Sequence, residues 1–282
     1  MVSKRNLYLQ NIQSFEIGAD CYIPSSSKSN KKFPIVIFSH GFKGFKDWGG
    51  FPYLMQKLSG AGFVSVSFNF SHNGVEKNTP TEFTRLDLFA QNTFSKELDD
   101  LGIVIDYFYE NAGEYNADKN KIALIGHSRG GGISILKANE DKRIKCLITL
   151  ASVSTFDRYT EEHKILWRKK GCFEVINTRT NQMMRLNSTL LDDLDNNKSR
   201  LDIVKASRAL DKPTLIIHGK EDLSVKYSEA ETIYRNSSKG SAELFLIENT
   251  GHTFGTVHPF EGSQKAFEKV IEKIIAFLRK YL

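Results

Sequence analysis

Short runs of nearly unbroken apolar residues alternate with stretches of helical periodicity along most of this chain. The runs are FPIVIFSHG at 33–41, FVSVSFNF at 63–70, KIALIGHS at 121–128, IKCLITLAS at 144–152, PTLIIHG at 213–219 and AELFLIE at 242–248. A strand apolar on both faces must be covered on both, and parallel strands need crossover connections, usually helical. The intervening stretches meet that need. Phe51, Leu54, Met55 and Leu58 fall on one helical face, closed by GAG at 60–62, and Phe94, Leu98, Leu101, Ile105 and Phe108 fall on another. Phe267, Val270, Ile271, Ile274 and Leu278 mark a last helix. The pattern predicts an α/β fold with a mostly parallel sheet and helices on both faces. Period-2 stretches near residues 6–25 suit a strand hairpin ahead of it.

One region breaks the rhythm. Residues 153–208 show no clear strand and are rich in charge, Asn and Thr. The segment is too long for a plain connection. Ile165, Leu166, Trp167, Phe173, Leu190, Leu191 and Leu194 call for burial, which favours a helical cap insertion over a disordered loop. The expected division is therefore a core of 1–152 and 209–282 with a cap at 153–208.

Within that frame the stretch IALIGHSRGGG, residues 122–132, carries the chemistry. An apolar strand runs directly into a serine flanked by glycines, and GHSRG fits the G-x-S-x-G nucleophile elbow. A strand that turns at once into a helix leaves Ser128 at the apex, and side chains two positions away on either side would collide; Gly126 and Gly130 have none. Gly131 and Gly132 let the helix lie close on the sheet. The serine also sits at a helix N-terminus, where the backbone dipole favours developing negative charge. A serine hydroxyl needs a base, and the base needs an orienting group. Downstream, LIIHGKEDLSV places Asp222 just past a strand and LIENTGHTFG places His252 just past the last one. Ser128, Asp222 and His252 thus lie at the carboxyl ends of strands, where open α/β sheets bind ligands.

Rivals remain for each role. Glu221 and Asp157 are the alternative acids, and His258 is the alternative base. His40 and His218, each before a glycine at a strand end, are expected to make structural hydrogen bonds. His127 is expected to point away from the nucleophile, and His72 and His163 to face solvent rather than to line a substrate cleft. The Arg129 side chain is expected to pair with a surface carboxylate rather than to meet an anionic substrate.

The blocks HGF at 40–42, GHSRGG at 126–131, HGKEDLSV at 218–225 and GHTF at 251–254 stand in the order and spacing of the α/β-hydrolase family, which the chain resembles over nearly its whole length. SHGFKGFKDW and the placement of the cap resemble the dienelactone-hydrolase-like and cinnamoyl (feruloyl) esterase branch, although the elbow there commonly has Gln where this chain has Arg129. The resemblance implies an α/β-hydrolase fold with an eight-stranded sheet. It also implies an oxyanion hole formed by the backbone N–H groups of Phe42 and Arg129.

Composition narrows the remaining classes. With 282 residues, 40% hydrophobic and 26% charged, the chain can bury a full core and is not mainly disordered. The net charge of +6 is spread without a block of like charges, so no nucleic-acid partner is expected. No segment has the roughly 18 apolar residues of a membrane span, and the opening MVSKRNLYLQNIQSFEIGADCY has no continuous apolar stretch like that of a secretory leader. Cys21, Cys146 and Cys172 suggest neither a disulfide framework nor a metal site. The expectation is a cytoplasmic serine hydrolase that needs no cofactor or metal and cleaves carboxylic esters of small to medium soluble substrates. An acyl-thioesterase, a small-peptide or aminoacyl hydrolase, and a non-catalytic binding protein of this fold are the alternatives. Oligomeric state is not legible.

Overall fold

The structure is a computed structural model and describes residues 2–25, 32–177, 180–238 and 240–282. Its first strands are β1 (Val2–Gln10), β2 (Glu16–Pro24) and β3 (Phe33–Ser39), followed by α1 (Phe51–Gly60) and β4 (Val64–Phe68). A small ribbon, β5 (Val75–Glu76) and β6 (Thr79–Phe83), leads to α2 (Leu86–Ala90) and the long α3 (Phe94–Glu110). Then come β7 (Ala117–His127), α4 (Arg129–Glu140) and β8 (Ile144–Leu150). The inserted segment carries α5 (Glu161–Lys170), β9 (Cys172–Asn177), β10 (Gln182–Asn187), α6 (Thr189–Asn196) and α7 (Ile203–Ala209). The chain closes with β11 (Thr214–Gly219), α8 (Tyr227–Asn236), β12 (Ala242–Ile247) and α9 (Lys265–Tyr281).

Eight strands form one sheet in the order β1-β2-β4-β3-β7-β8-β11-β12. β1 and β2 pair antiparallel, β2 meets β4 antiparallel, and every pairing from β4 to β12 is parallel. The expected N-terminal hairpin is thus an antiparallel edge on a parallel sheet. Successive residues of each central strand face opposite layers. Ile35, Ile37, Ile122 and Leu124 pack with Leu98, Leu101 and Ile105 of α3 and Ile133 of α4. Val36, Phe38, Ala123 and Ile125 pack with Leu54 and Met55 of α1 and Val270 and Ile274 of α9. Burying such a side chain fully contributes about 1.5–3 kcal/mol, so two-sided coverage accounts for the unbroken apolar runs.

Two features of the inserted segment differ from expectation. It is not wholly helical, because β9 and β10 form an antiparallel hairpin with Phe173 opposite Leu186 and Val175 opposite Met184. The turn residues 178 and 179 lie outside the described residues. Met184 and Leu186 are buried beneath it, and Trp167 donates its indole N–H to the Leu186 carbonyl at 2.8 Å. Trp167, Leu190, Leu191 and Leu194 are buried as expected, whereas Ile165 and Leu166 are exposed. α5 is a single amphipathic helix, and Trp167 alone of its residues is buried. Among the described residues no helix is long and apolar enough to cross a membrane.

Candidate active site

Ser128 terminates β7 and begins the turn into α4 with φ +57° and ψ −121°. This left-handed backbone is uncommon for a residue with a Cβ and costs on the order of 1–3 kcal/mol. It is held because the Ser128 N–H donates to Leu150 O at 2.8 Å while its carbonyl accepts from Gly131 N at 3.0 Å. The flanking glycines are required by close approach. A Cβ on Gly126 would lie 2.2 Å from Gly130 O, and one on Gly130 would lie 2.4 Å from His40 O.

Asp222 and His252 arrive from the ends of β11 and β12. The Asp222 carboxylate is buried and accepts from the backbone N–H groups of Ser224 and Val225 at 2.8 and 2.9 Å through Oδ1. Its Oδ2 accepts from His252 Nδ1 at 2.7 Å and lies 3.1 Å from His218 Nε2. Burial pushes this carboxyl up, but the hydrogen bonds from His218 and His252 outweigh it and hold the group well below the usual carboxylate range. With Nδ1 committed to Asp222, Nε2 of His252 is the nitrogen left for proton transfer. Ser128 and His252 line one cavity of about 580 Å³. Among the described residues Ser128 Oγ and His252 Nε2 make no hydrogen bond; such contacts are commonly open in unliganded sites and tighten on substrate binding.

The rival residues stand apart from the Asp222–His252 pair. Asp157 pairs with Lys164 at 2.7 Å, and Glu221 is exposed. His258 Nδ1 accepts from Gly49 N at 3.0 Å, and its ring packs against Phe45 and Trp48. His218 donates to Val225 O at 2.8 Å and His40 to Gly41 O at 2.9 Å, as expected for structural histidines. His127 does not simply turn aside. Its Nε2–H donates to the His252 carbonyl at 2.9 Å, with the two rings 4.7 Å apart, so it braces the loop that carries His252.

Other expectations need correction. His72 is fully buried, its Nδ1 2.8 Å from Ser71 Oγ and its ring against Phe15. His163 packs against Phe173 in the insertion rather than facing open solvent. Arg129 does pair with a carboxylate, but a buried one: Nη1 lies 3.3 Å from Glu97 Oε1. The guanidinium lies 4.2 Å from the Phe42 ring and 4.9 Å from that of Phe94. Arg129 is buried where α4 packs on α3, so the carboxylate it meets is one buried with it.

Phe42 and Arg129 also line the cavity. The Phe42 backbone N–H has no hydrogen-bond partner among the described residues, and the Arg129 N–H belongs to the first turn of α4, where helical donors are left unpaired. Among the described residues no group of three or more His, Cys, Asp or Glu is placed to hold a metal ion.

The buried histidines have a measurable consequence. Burial draws His40 and His72 down to about 4 and His127 to about 3. In the unfolded chain each would titrate near 6.5, so the unfolded state binds more protons below that pH. Their contribution is complete above about 6.5 and is lost as the pH falls toward 4, by about 1.4 kcal/mol per pH unit for each net proton. Asp100, raised to about 6 by burial, acts oppositely between about 4 and 6 and cancels part of this, as does the raised Glu97. The melting temperature is expected to drop between pH 7 and pH 5. A flat or rising profile in thermal denaturation would show that these rings are not held neutral.

Comparison with known proteins fits the fold. The BD-FAE family model matches residues 19–236. Putative esterase/lipase 2 of Mycoplasma genitalium is 22% identical over 90% of this chain and 93% of its own. The uncharacterized protein YcjY of Escherichia coli is 24% identical over 55% of this chain, which spans about half (46%) of that protein's length. Est1E from Butyrivibrio proteoclasticus, in a structure with bound ferulic acid, superposes with a TM-score of 0.72 at 19% identity over 98% of each chain. A match over most of the chain shows the family: the chain belongs to the BD-FAE family, and it has the α/β-hydrolase fold of the esterases.

Proposed function

We propose that this protein is a serine esterase in which Ser128 is the nucleophile, His252 the general base and Asp222 the group that orients it. The observation that carries the reading is the 2.7 Å bond from His252 Nδ1 to buried Asp222 at a cavity that Ser128 also lines. In the first step His252 Nε2 takes the Ser128 proton as Oγ attacks the ester carbonyl. The tetrahedral oxyanion accepts from the N–H groups of Phe42 and Arg129, a pair in which each donor is worth about 10²–10³ in rate. The intermediate collapses as His252 passes its proton to the leaving alcohol. Water, deprotonated by His252, then attacks the acyl-enzyme and returns free acid and serine. Asp222 stays ionised throughout, as its depressed pKa supports.

Residues 153–208 act as the cap in this reading. Val153, Arg158, Tyr159 and Asn177 from that segment line the cavity. A cavity of about 580 Å³ suits a small to medium ester. The free thiols Cys21, Cys146 and Cys172 support a cytoplasmic setting.

The test is a fluorophosphonate probe followed by peptide mapping, run beside a panel of short acyl esters, methyl ferulate, an acyl thioester and an aminoacyl amide. The expected outcome is a single adduct on Ser128 and turnover of the esters. An adduct elsewhere, or no adduct, removes the serine mechanism. Labelling with inertness toward every ester, but turnover of the thioester or amide, replaces the substrate class.

A further inference from the structure

The two backbone donors assigned to the oxyanion arrive from different parts of the chain. Phe42 lies on the loop after β3, and Arg129 opens the first turn of α4. Both must reach one oxygen, at about 3 Å each, so their separation has to be fixed. Close packing fixes the base of the loop, because a Cβ on Gly41 would lie 2.8 Å from Ser128 Cβ. One residue further on, Phe42 is only half-buried. Its ring meets Phe89 at 5.6 Å and the Arg129 guanidinium at 4.2 Å, with Lys43 Nζ more distant at 5.7 Å. The side chain of one donor residue thus rests on the side chain of the other.

The guanidinium is itself held in place. Nη1 donates to Glu97 Oε1 at 3.3 Å, and the same oxygen accepts from Asn92 Nδ2 at 2.6 Å. The Phe94 ring, 4.9 Å from the guanidinium, stacks on Phe156 at 4.2 Å. Arg129, Glu97 and Asn92 are all buried. A buried ion pair often contributes no more to stability than neutral groups of the same shape, so stability alone does not account for this one. Glu97 also balances the Arg129 charge, so the pair acts through its place and not through a net field. We propose that the Glu97–Arg129 pair is a positioning device: Glu97 holds the Arg129 side chain on the Phe42 ring, and that contact sets the distance between the two oxyanion donors. The proposal rests on the serine-esterase reading and adds what keeps its oxyanion hole in register. A guanidinium suits this task, since its plane stacks on an aromatic face while its edge donates to a carboxylate; an ammonium has no such plane.

The test variant is Arg129→Met combined with Glu97→Gln, which removes the bridge without stranding a buried charge and keeps a side-chain carbonyl for Asn92. Rates are counted per site that a fluorophosphonate labels at completion. For a p-nitrophenyl ester, kcat is expected to fall about 10–100-fold while KM changes by less than about twofold, as for an interaction made only in the transition state. A trifluoromethyl ketone provides the second readout. Its carbonyl carbon takes Ser128 Oγ, the serine proton passes to His252, and the carbonyl oxygen becomes an oxyanion. Its affinity is expected to fall by the same factor as kcat/KM. A merely structural role would lower the labelled fraction and leave the rate per site unchanged. Arg129→Lys keeps the charge but offers no plane to the Phe42 ring, and is expected to lose kcat in the same way. Parent-like kcat per site in either variant overturns the proposal. The unaltered protein gives an independent check. In a structure with the ketone bound, the oxyanion should lie about 3 Å from both N–H groups with the guanidinium still on the Phe42 ring, and separation of the two side chains there overturns the proposal too. A parent protein that forms no fluorophosphonate adduct overturns the serine mechanism instead, so the two failures are distinguishable.

Discussion

Ser128→Ala is expected to lower kcat/KM for a p-nitrophenyl ester by about 10⁴-fold or more while leaving the fold intact. The size follows from the chemistry. In the proposed mechanism no acyl-enzyme forms without the hydroxyl, and the remaining rate comes only from binding and from the N–H donors at Phe42 and Arg129. The fold survives for a separate reason. Alanine meets the left-handed φ of +57° with the same Cβ as serine, so the strain of the elbow does not change. The backbone bonds that hold the turn, Ser128 N to Leu150 O and Gly131 N to Ser128 O, are also kept. The unfolding free energy should therefore change by no more than about 0.5 kcal/mol, as for substitutions that disturb no packing. Turnover near the parent rate in a well-folded variant would remove Ser128 from the mechanism.

Gly130→Ala should act in the opposite manner, destroying stability first. The added Cβ would stand 2.4 Å from His40 O and 2.5 Å from Ser39 O. Both are backbone atoms at the end of β3, and that strand is pinned on both sides, with Ser39 paired against Phe68 of β4 and Gly126 of β7. No side-chain rotation relieves the clash, so α4 must lift from the sheet or β3 must shift. The expected cost is about 3 kcal/mol or more, with loss of activity because the loop that carries Phe42 moves with β3. Gly60→Ala is the control. It sits at the end of α1 with nothing within 4 Å of the added carbon, and should stabilise by about 0.5–1 kcal/mol. Denaturant unfolding of the two variants would check both signs. A Gly130→Ala protein as stable as the parent would mean that helix and strand are not in close contact at the elbow.

The central strands were legible because their composition has one physical explanation. Runs such as IALIG and TLIIHG are apolar at consecutive positions, and only a sheet covered on both faces buries them all. The hairpin β9–β10 was missed for the converse reason. Its apolar residues Phe173 and Val175 on one strand, and Met184 and Leu186 on the other, alternate with Glu174 and Arg185, which pair across the exposed face at 3.0 Å. The period-2 signal was present but short and embedded in charge. In the same segment, the apolar character of Ile165 and Leu166 pointed to burial, yet α5 turns only Trp167 inward. Hydrophobicity states a preference for burial and does not say which face of a helix finds a partner.

At the candidate site the division is similar. The glycines around Ser128 could be read from the chain because excluded volume acts between near neighbours, and the order of serine, acid and histidine follows from the order of strand ends. The burial of Arg129 between Phe42 and Phe94 and the bracing of the His252 loop by His127 were not readable. Local spacing along a chain encodes sterics and periodicity, which act over a few residues. Burial and electrostatic environment are set by groups brought together from distant positions, as when Glu97 meets Arg129 and Asp222 meets His252. Those properties came into being only when the sheet had assembled and its loops had closed over one end.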